Sequence, residues 1–547
     1  MTSKLLLFHT VRHLRWEQIV CRVAARLRKI DATSVPTPAL ARWSRAWAGA
    51  VYKLPSLAPD DTWTFLGESH RVEGVSDWNN PVWSKLWLYN LHYFDDLDAV
   101  DAHARRAQHQ RWVTHWAADN PAPLGNGWEP YTLSLRIVNW IKWLSTDPAP
   151  QPAWLASLAL QVEVLQQRLE YHLLGNHLFA NAKALVFAGM YFSGERAQGW
   201  LEKGLAILDR EIQEQFLADG AHFELSPMYH ATLLWDLLDL LELAGCREHP
   251  ALRNRVGVWR ENVGCGLAWL ASMCHADGEI GFFNDAAFGI APAPAQVYSY
   301  AECLDFAIPM MQRPAERQVR LTRMASSGYA RIDWAEAQAL IDVAKIGPDY
   351  LPGHAHADTL SFEWSLHGQR VLVNSGTSQY GDDAERQRQR GTAAHNTVVI
   401  GGENSSEVWA GFRVARRAYP IGLTVAATPA EVRVGCAHDG YRRLTGRPVH
   451  RREWLASPRE LQVTDTLFAR AGDAVAYFHL HPDVRATIVD GVVRLQLKGA
   501  ETVSLRFEGG VPTLSPSTWH PRFGESVATT RIVVPFLAAK LVAVMNW

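Results

Sequence analysis

The spacing of apolar residues changes once along this chain, and the change divides what each half can fold into. From about residue 85 to about residue 320, apolar side chains recur at three- and four-residue intervals, as in "PYTLSLRIVNWIKWLS", "AQGWLEKGLAILDREIQEQFL" and "YHATLLWDLLDLLELAG", the period of amphipathic helices. After about residue 325 they alternate, as in "GYARIDW", "RVLVNSG", "NTVVIGG" and "VVRLQLKG", the period of strands that bury one face. Turn-forming "HGQ", "HDG" and "DGVV" separate those runs. A series of helical hairpins followed by a series of strands predicts a multidomain α+β chain, with a helical ring or solenoid first and an antiparallel sandwich of stacked sheets second. The boundary is expected in "MMQRPAERQVRLTRMASSG", which has no clear apolar face. The divisions read from the sequence are a helical extension over 1–80, a helical domain over 81–322 and a β domain over 323–547.

A chain of 547 residues is long enough to bury two or more cores without staples. Its 54 basic and 56 acidic residues leave a formal charge of -2, which excludes a global polycation suited to nucleic acid. Six cysteines are scattered without CxxC spacing, as reduced thiols are. The opening "MTSKLLLFHTVRHLRWEQIVCRVAARLRKI" holds only a four-residue apolar run, Leu5 to Phe8, shorter than a secretory signal requires. It reads as a basic amphipathic helix, packed, solvated or in contact with a membrane surface or partner. No stretch reaches the ~20 apolar residues of a membrane span, so the expected location is cytoplasmic. Twenty-three tryptophans offer flat faces for sugar rings or for core packing, and core packing is the reading for most of them.

Several short stretches carry groups with chemistry. In "LLGNHLFANAKAL", Asn176 and His177 open a helix; Asn176 can cap it or donate its amide to a bound carboxylate, and His177 titrates near neutrality. In "DGAHFELSPMYHATLLW", Tyr229 follows Pro227 at a helix start, where the positive end of the helix favours an anion. In "LPGHAHADTLSFEW", His354 and His356 lie two apart before an alternating run, so in extended chain they share a face. His395 in "RGTAAHNTVVI" stands before another strand and makes a third imidazole for a divalent ion, which needs three or four ligands if it is zinc.

In this order, these pieces resemble the heparinase II/III-like polysaccharide lyases over residues 80 to 547, most specifically in "GHAHADTLSFEW", "VLVNSGTSQYG" and "RGTAAHNTVVI". The resemblance implies an (α/α) toroid, as in toroidal alginate lyases, followed by an antiparallel β-sandwich. It implies β-elimination at the C4–O bond of a uronate in an anionic polysaccharide, and the near-neutral charge of this chain points to an acidic, unsulfated or weakly sulfated exopolysaccharide. Asn176 would then neutralise the uronate carboxylate, His177 would assist it or act as base, Tyr229 would carry the catalytic proton, and His354 would face the cleft. Trp87, Tyr89, Trp128 and Arg136, at helical spacing or in adjoining loops, are expected either to position substrate or to pack between toroid helices. His356 and His395 match ligands of a structural divalent metal, zinc in the family, and no organic cofactor is implied. The third ligand of the family pattern is an aspartate, whereas this chain has Asn374, an uncharged and weaker donor. Lyases of this kind often act in the periplasm or outside the cell. Other readings of the same residues are a uronyl C5-epimerase, a non-catalytic polysaccharide-binding or assembly protein, and a metal-dependent hydrolase built on His354 and His356.

Overall fold

The computed structural model describes residues 3–33, 35–469, 472–499, 501–536 and 539–547. Two short helices, α1 (Ser3–Val11) and α2 (Trp16–Leu27), open the chain. The described residues between 28 and 61 contain no helix, and a hairpin of Thr62–Phe65 with Glu68–Arg71 follows. The expected helical extension is therefore α-helical only at its start, with a short 3-10 turn at Val75–Asn79 near its end. Pro36 and Pro38 remove backbone donors just beyond that start, which an α-helix does not tolerate in its interior.

The toroid is built from α3 (Lys85–Tyr93), α4 (Arg106–Asp119), α5 (Pro130–Leu144), α6 (Pro152–Gln167), α7 (Gly175–Tyr191), α8 (Glu195–Gln215), α9 (Pro227–Cys246), α10 (Pro250–Ser272) and α11 (Pro294–Cys303). Pro130, Pro152, Pro227, Pro250 and Pro294 stand in the first turns of five of them, where a missing N–H costs nothing and the fixed φ suits the helix. Helix α7 is buried along its length except at His177. It packs against α5, α8 and α9, and its nearly unbroken apolar sequence is that of a helix enclosed on all sides.

Much of the tryptophan content lies inside this domain. Trp116 meets Trp128 and Trp140 at ring-centroid distances of 5.7 Å. Arg136 is wholly buried, with its guanidinium 3.7 Å over the Trp116 ring. It donates to the carbonyls of His92 and Gly127 at 3.0 and 2.6 Å and to Gln161 Oε1 at 2.9 Å. Trp87 and Trp128 are buried too, donating Nε1–H to the carbonyls of Glu68 and Asn120. The expectation that Trp87, Trp128 and Arg136 position substrate is thus corrected: all three are structural. Helical spacing places a side chain on a face, but does not say whether that face looks into the core or into the bore.

The β domain begins with Arg320–Met324, three residues before the expected boundary, because this strand is only half covered and its charges mask the alternation. Five strands follow one another antiparallel from Arg320–Met324 to Gln369–Leu372. A bridge between Leu372 and Leu480 joins them to a four-stranded sheet that includes Val398–Ile400 and Ala474–His479. An eight-stranded antiparallel sheet runs from Pro420–Ala427 at one edge to Arg485–Val489 at the other. Phe362, Trp364, Trp454, Phe478, Leu505 and Ile532 fill the space between the layers, as the inner faces of a sandwich do.

Substituting Arg136 by Ala leaves buried carbonyls without donors at ~1–3 kcal/mol each. A urea titration of Arg136→Ala should therefore show a toroid weakened by several kcal/mol. A raised KM with unchanged stability would restore a substrate-binding role.

Candidate active site

The candidate site forms where the toroid meets the sandwich, and a buried carboxylate, Asp285, organises it. Both carboxylate oxygens accept from the Arg386 guanidinium, with Nη2 2.8 Å from Oδ2. Arg386 lies on α12 (Ala384–Arg390). The ring of His354 donates from Nδ1 to Oδ2 at 2.9 Å, and the ring of His356 meets Oδ1 through Nε2 at 2.8 Å. Burial alone would raise the Asp285 pKa, but Arg386 and the two imidazoles hold it well below the usual carboxylate range. With Nδ1 bonded to Asp285, the other ring nitrogen of His354, Nε2, lies on the side of Glu224.

The backbone of Asp285 extends this control. Its N–H donates to the His354 carbonyl at 3.0 Å, and its carbonyl accepts from Ser226 Oγ at 2.5 Å. Ser226 caps α9 and accepts from the N–H of Tyr229 at 3.3 Å. Tyr229 lies with its ring centroid 3.9 Å from that of His354, 30° from parallel. Its hydroxyl is 2.9 Å from that of Tyr380, a β-domain residue. Burial pushes both phenols well above 10, so both carry their protons at neutral pH.

Asn176 and His177 enter from the N-terminus of α7. Gly175, immediately before them, has φ +57°, and a Cβ there would stand 2.5 Å from Leu351 Cδ2 and 3.2 Å from Glu224 Oε1. Only glycine allows the β-domain loop to come this close. Asn176 is nearly buried, while His177 is one-third exposed and bonds Glu170 Oε1 at 3.1 Å. Burial opposes a charged His177, yet the Glu170 carboxylate prevails and raises its pKa. The ring of Tyr131 lies 4.5 Å from that of His177. Tyr93 and Tyr89 continue the row, and the Tyr89 hydroxyl bonds Glu129.

Glu224 sits between these groups. Its Oε2 is 3.9 Å from His354 Nε2, and its Oε1 is buried without a hydrogen-bond partner. Burial raises its pKa above the ordinary value, against the pull of His354 and His177. The chemistry-bearing groups missed in the sequence are therefore Glu224, Asp285, Tyr380 and Arg386. Two had a visible signal, since Glu224 lies in the quoted "HFELSP" and Tyr380 in "SGTSQYG".

The donors expected to hold zinc do not form a zinc site. His356 Nδ1 and His395 Nε2 face each other at 3.3 Å, and the other nitrogen of His356 is taken by Asp285. Burial lowers the pKa of both imidazoles and keeps them neutral. Asn374 donates its amide to the Phe282 carbonyl at 2.8 Å and accepts from the Asn396 N–H at 3.3 Å. Among the described residues no three His, Cys, Asp or Glu side chains converge as metal ligands, whereas structural zinc takes four. Asparagine at 374 explains the mismatch, because its amide joins the backbone network instead of presenting an anion.

Comparisons with known proteins agree with this architecture. Residues 91–289 match the heparinase II/III N-terminus and residues 316–547 the heparinase II/III-like C-terminal domain. The chain belongs to the heparinase II/III-like family. The heparin-sulfate lyase of Pedobacter heparinus is 26% identical over 378 residues, 62% of this chain and 56% of that one. FtsZ-localized protein C of Caulobacter vibrioides is 25% identical over 462 residues, 77% of this chain and 74% of that one. The chain spans about half the length of the heparin-sulfate lyases it matches, 44% and 56%. The crystal structure of heparinase III superposes with a TM-score of 0.68 at 18% identity, over 85% of this chain and 77% of that one, a likeness of fold.

Elemental analysis of purified protein should find well under one zinc per chain. Prolonged chelation should leave Tm unchanged, because no folding energy rests on a metal. Stoichiometric zinc whose removal lowers Tm would restore the metal centre.

Proposed function

We propose that the protein is a polysaccharide lyase that cleaves an anionic, uronate-containing chain of the glycosaminoglycan type by β-elimination at the C4–O bond. The observation that carries this is the stacked pair Tyr229 and His354, brought together from different domains beside Asn176, His177 and Glu224. Heparin-sulfate lyases among the relatives support the same class.

Elimination begins with loss of the proton at C5, next to a carboxylate whose negative charge makes the developing dianion very unfavourable. Preorganised donors must offset that charge. The Asn176 amide fills this role, and His177 and Glu224, both with raised pKa values, donate to a carboxylate oxygen in their protonated forms. A buried carboxyl kept neutral donates a hydrogen bond that an ionised one cannot. His354 Nε2 takes the C5 proton, with Asp285 steadying the imidazolium that results. Tyr229, protonated throughout the neutral range, donates to the departing O4, and Tyr380 behind it supplies a replacement proton. Tyr89 and Tyr131, both partly exposed, offer rings for the sugars on the His177 side. An unsulfated or weakly sulfated polymer is the proposed substrate, since Arg386, Lys183 and Lys142 are all engaged by buried carboxylates.

A second reading rests on one comparison. FtsZ-localized protein C matches most of both chains, and its name records a place rather than a reaction. A non-catalytic assembly protein that uses this cleft for recognition would bind polymer and release no product.

Tyr229→Phe should lower turnover by about 10³-fold while leaving polymer binding nearly unchanged, read as ultraviolet absorbance of unsaturated uronate over a panel of polymers. Near-normal turnover would remove Tyr229 from the chemistry. No absorbance from wild type on any uronate polymer would favour the assembly reading, or epimerisation if C5 exchanges its hydrogen with solvent.

The raised pKa values of Glu224 and His177 set the sign of the pH response. Each group holds its proton below its raised value, so kcat/KM should fall as pH rises through that range. Glu224→Gln keeps a donor and should stay within about tenfold of wild type with a weaker alkaline fall, whereas Glu224→Ala should lose about 10²-fold. Equal losses in the two variants would mean that Glu224 acts as a carboxylate.

A further inference from the structure

The N-terminal helices present an apolar face that none of the described residues covers. Eight of the 24 exposed large apolar side chains among the described residues fall between Leu5 and Leu27. On α2, Trp16, Val20, Val23 and Leu27 are 76%, 45%, 55% and 78% exposed. Their spacing of four, three and four puts them in one stripe along the helix. Leu5, Leu7, Phe8 and Val11 of α1 are exposed as well.

The inward side of the same segment is polar and fixed. Gln18 is buried and donates to the Tyr350 carbonyl at 3.2 Å. Arg15 lies 3.6 Å over the Tyr350 ring and pairs with Glu214 of α8. Thr10 Oγ1 accepts from Trp409 Nε1 at 3.0 Å. The helices are thus pinned to both domains by polar contacts and turn their apolar residues outward, the reverse of a helix that packs on a core.

Charge identifies the occupant. Between Lys4 and Lys29 the basic residues are Lys4, Arg12, Arg15, Arg22, Arg26, Arg28 and Lys29, and Glu17 is the sole acid, in a chain whose net charge is -2. Arg22, Arg26 and Lys29 are exposed near the stripe. A second copy of this chain on the same face would bring like charges together. An anionic lipid surface takes up both the stripe and the cations. No helix among the described residues is long and apolar enough to cross a membrane, so this contact is one of lying in the interface. We propose that α1 and α2 form an in-plane anchor that holds the protein on an anionic lipid surface.

Co-sedimentation of the full chain with vesicles tests this. Wild type should bind mixed phosphatidylglycerol and phosphatidylcholine vesicles, weaken as salt rises, and bind phosphatidylcholine alone poorly. Val20→Glu with Val23→Glu changes only exposed positions and should cost at least about tenfold in binding. Arg22→Glu with Arg26→Glu should lose binding to anionic vesicles by a similar factor. The proposal is overturned by absent binding, by equal binding to the two lipid mixtures, or by binding that Val20→Glu/Val23→Glu leaves unchanged. A dimer in sedimentation equilibrium that Val23→Glu dissociates would also overturn it, assigning the face to a second copy.

Discussion

The arrangement depends on one buried carboxylate. Asp285 belongs to the segment that closes the toroid, yet its side chain is held by Arg386, His354 and His356 of the β domain. A charge without solvent is tolerated only when paired and fully hydrogen-bonded, and removing a partner of such a pair costs about 3–5 kcal/mol. That cost ties the domains to one relative placement. Through its backbone the same residue holds the His354 carbonyl and the Ser226 cap of α9, so it sets both members of the stacked pair with Tyr229.

Burial then assigns the roles. The two phenols are pushed toward their protonated forms, burial raises the pKa of Glu224, and Glu170 raises that of His177 against the cost of burial. Asp285 is held ionised and leaves His354 with one free nitrogen. Groups that could serve as acid or base in water are thereby separated into donors and one acceptor. Arg386 supplies the cation that neutralises Asp285. His356 and His395, both neutral, need only one hydrogen bond between them.

The fold and part of the site are legible in the sequence. The change of period separates toroid from sandwich, and the prolines at five helix starts mark their boundaries. Asn176, His177, Tyr229 and His354 stand out because each is polar at the edge of an apolar run. Asp285 in "FFNDAAFG" has no such context, being in an irregular segment with no period to break. Arg386 lies among other charged residues in "AERQRQR", where nothing distinguishes a buried guanidinium from a solvated one. Trp87, Trp128 and Arg136 mislead for the opposite reason, since an aromatic and a cation at helical spacing look the same whether they line a bore or fill a core.

By itself, the sequence determined the two-part architecture, the order of its elements and the four polar positions at which chemistry is expected, because these follow from local period and local contrast. Only the tertiary structure decided that His354 and His356 share Asp285, that one oxygen of the buried Glu224 lies beside His354, and that Tyr380 meets Tyr229 across the domain boundary. The contacts with Asp285 and between the two tyrosines join residues separated by 69 to 151 positions. Their energies depend on burial, which the whole fold sets and no local pattern records.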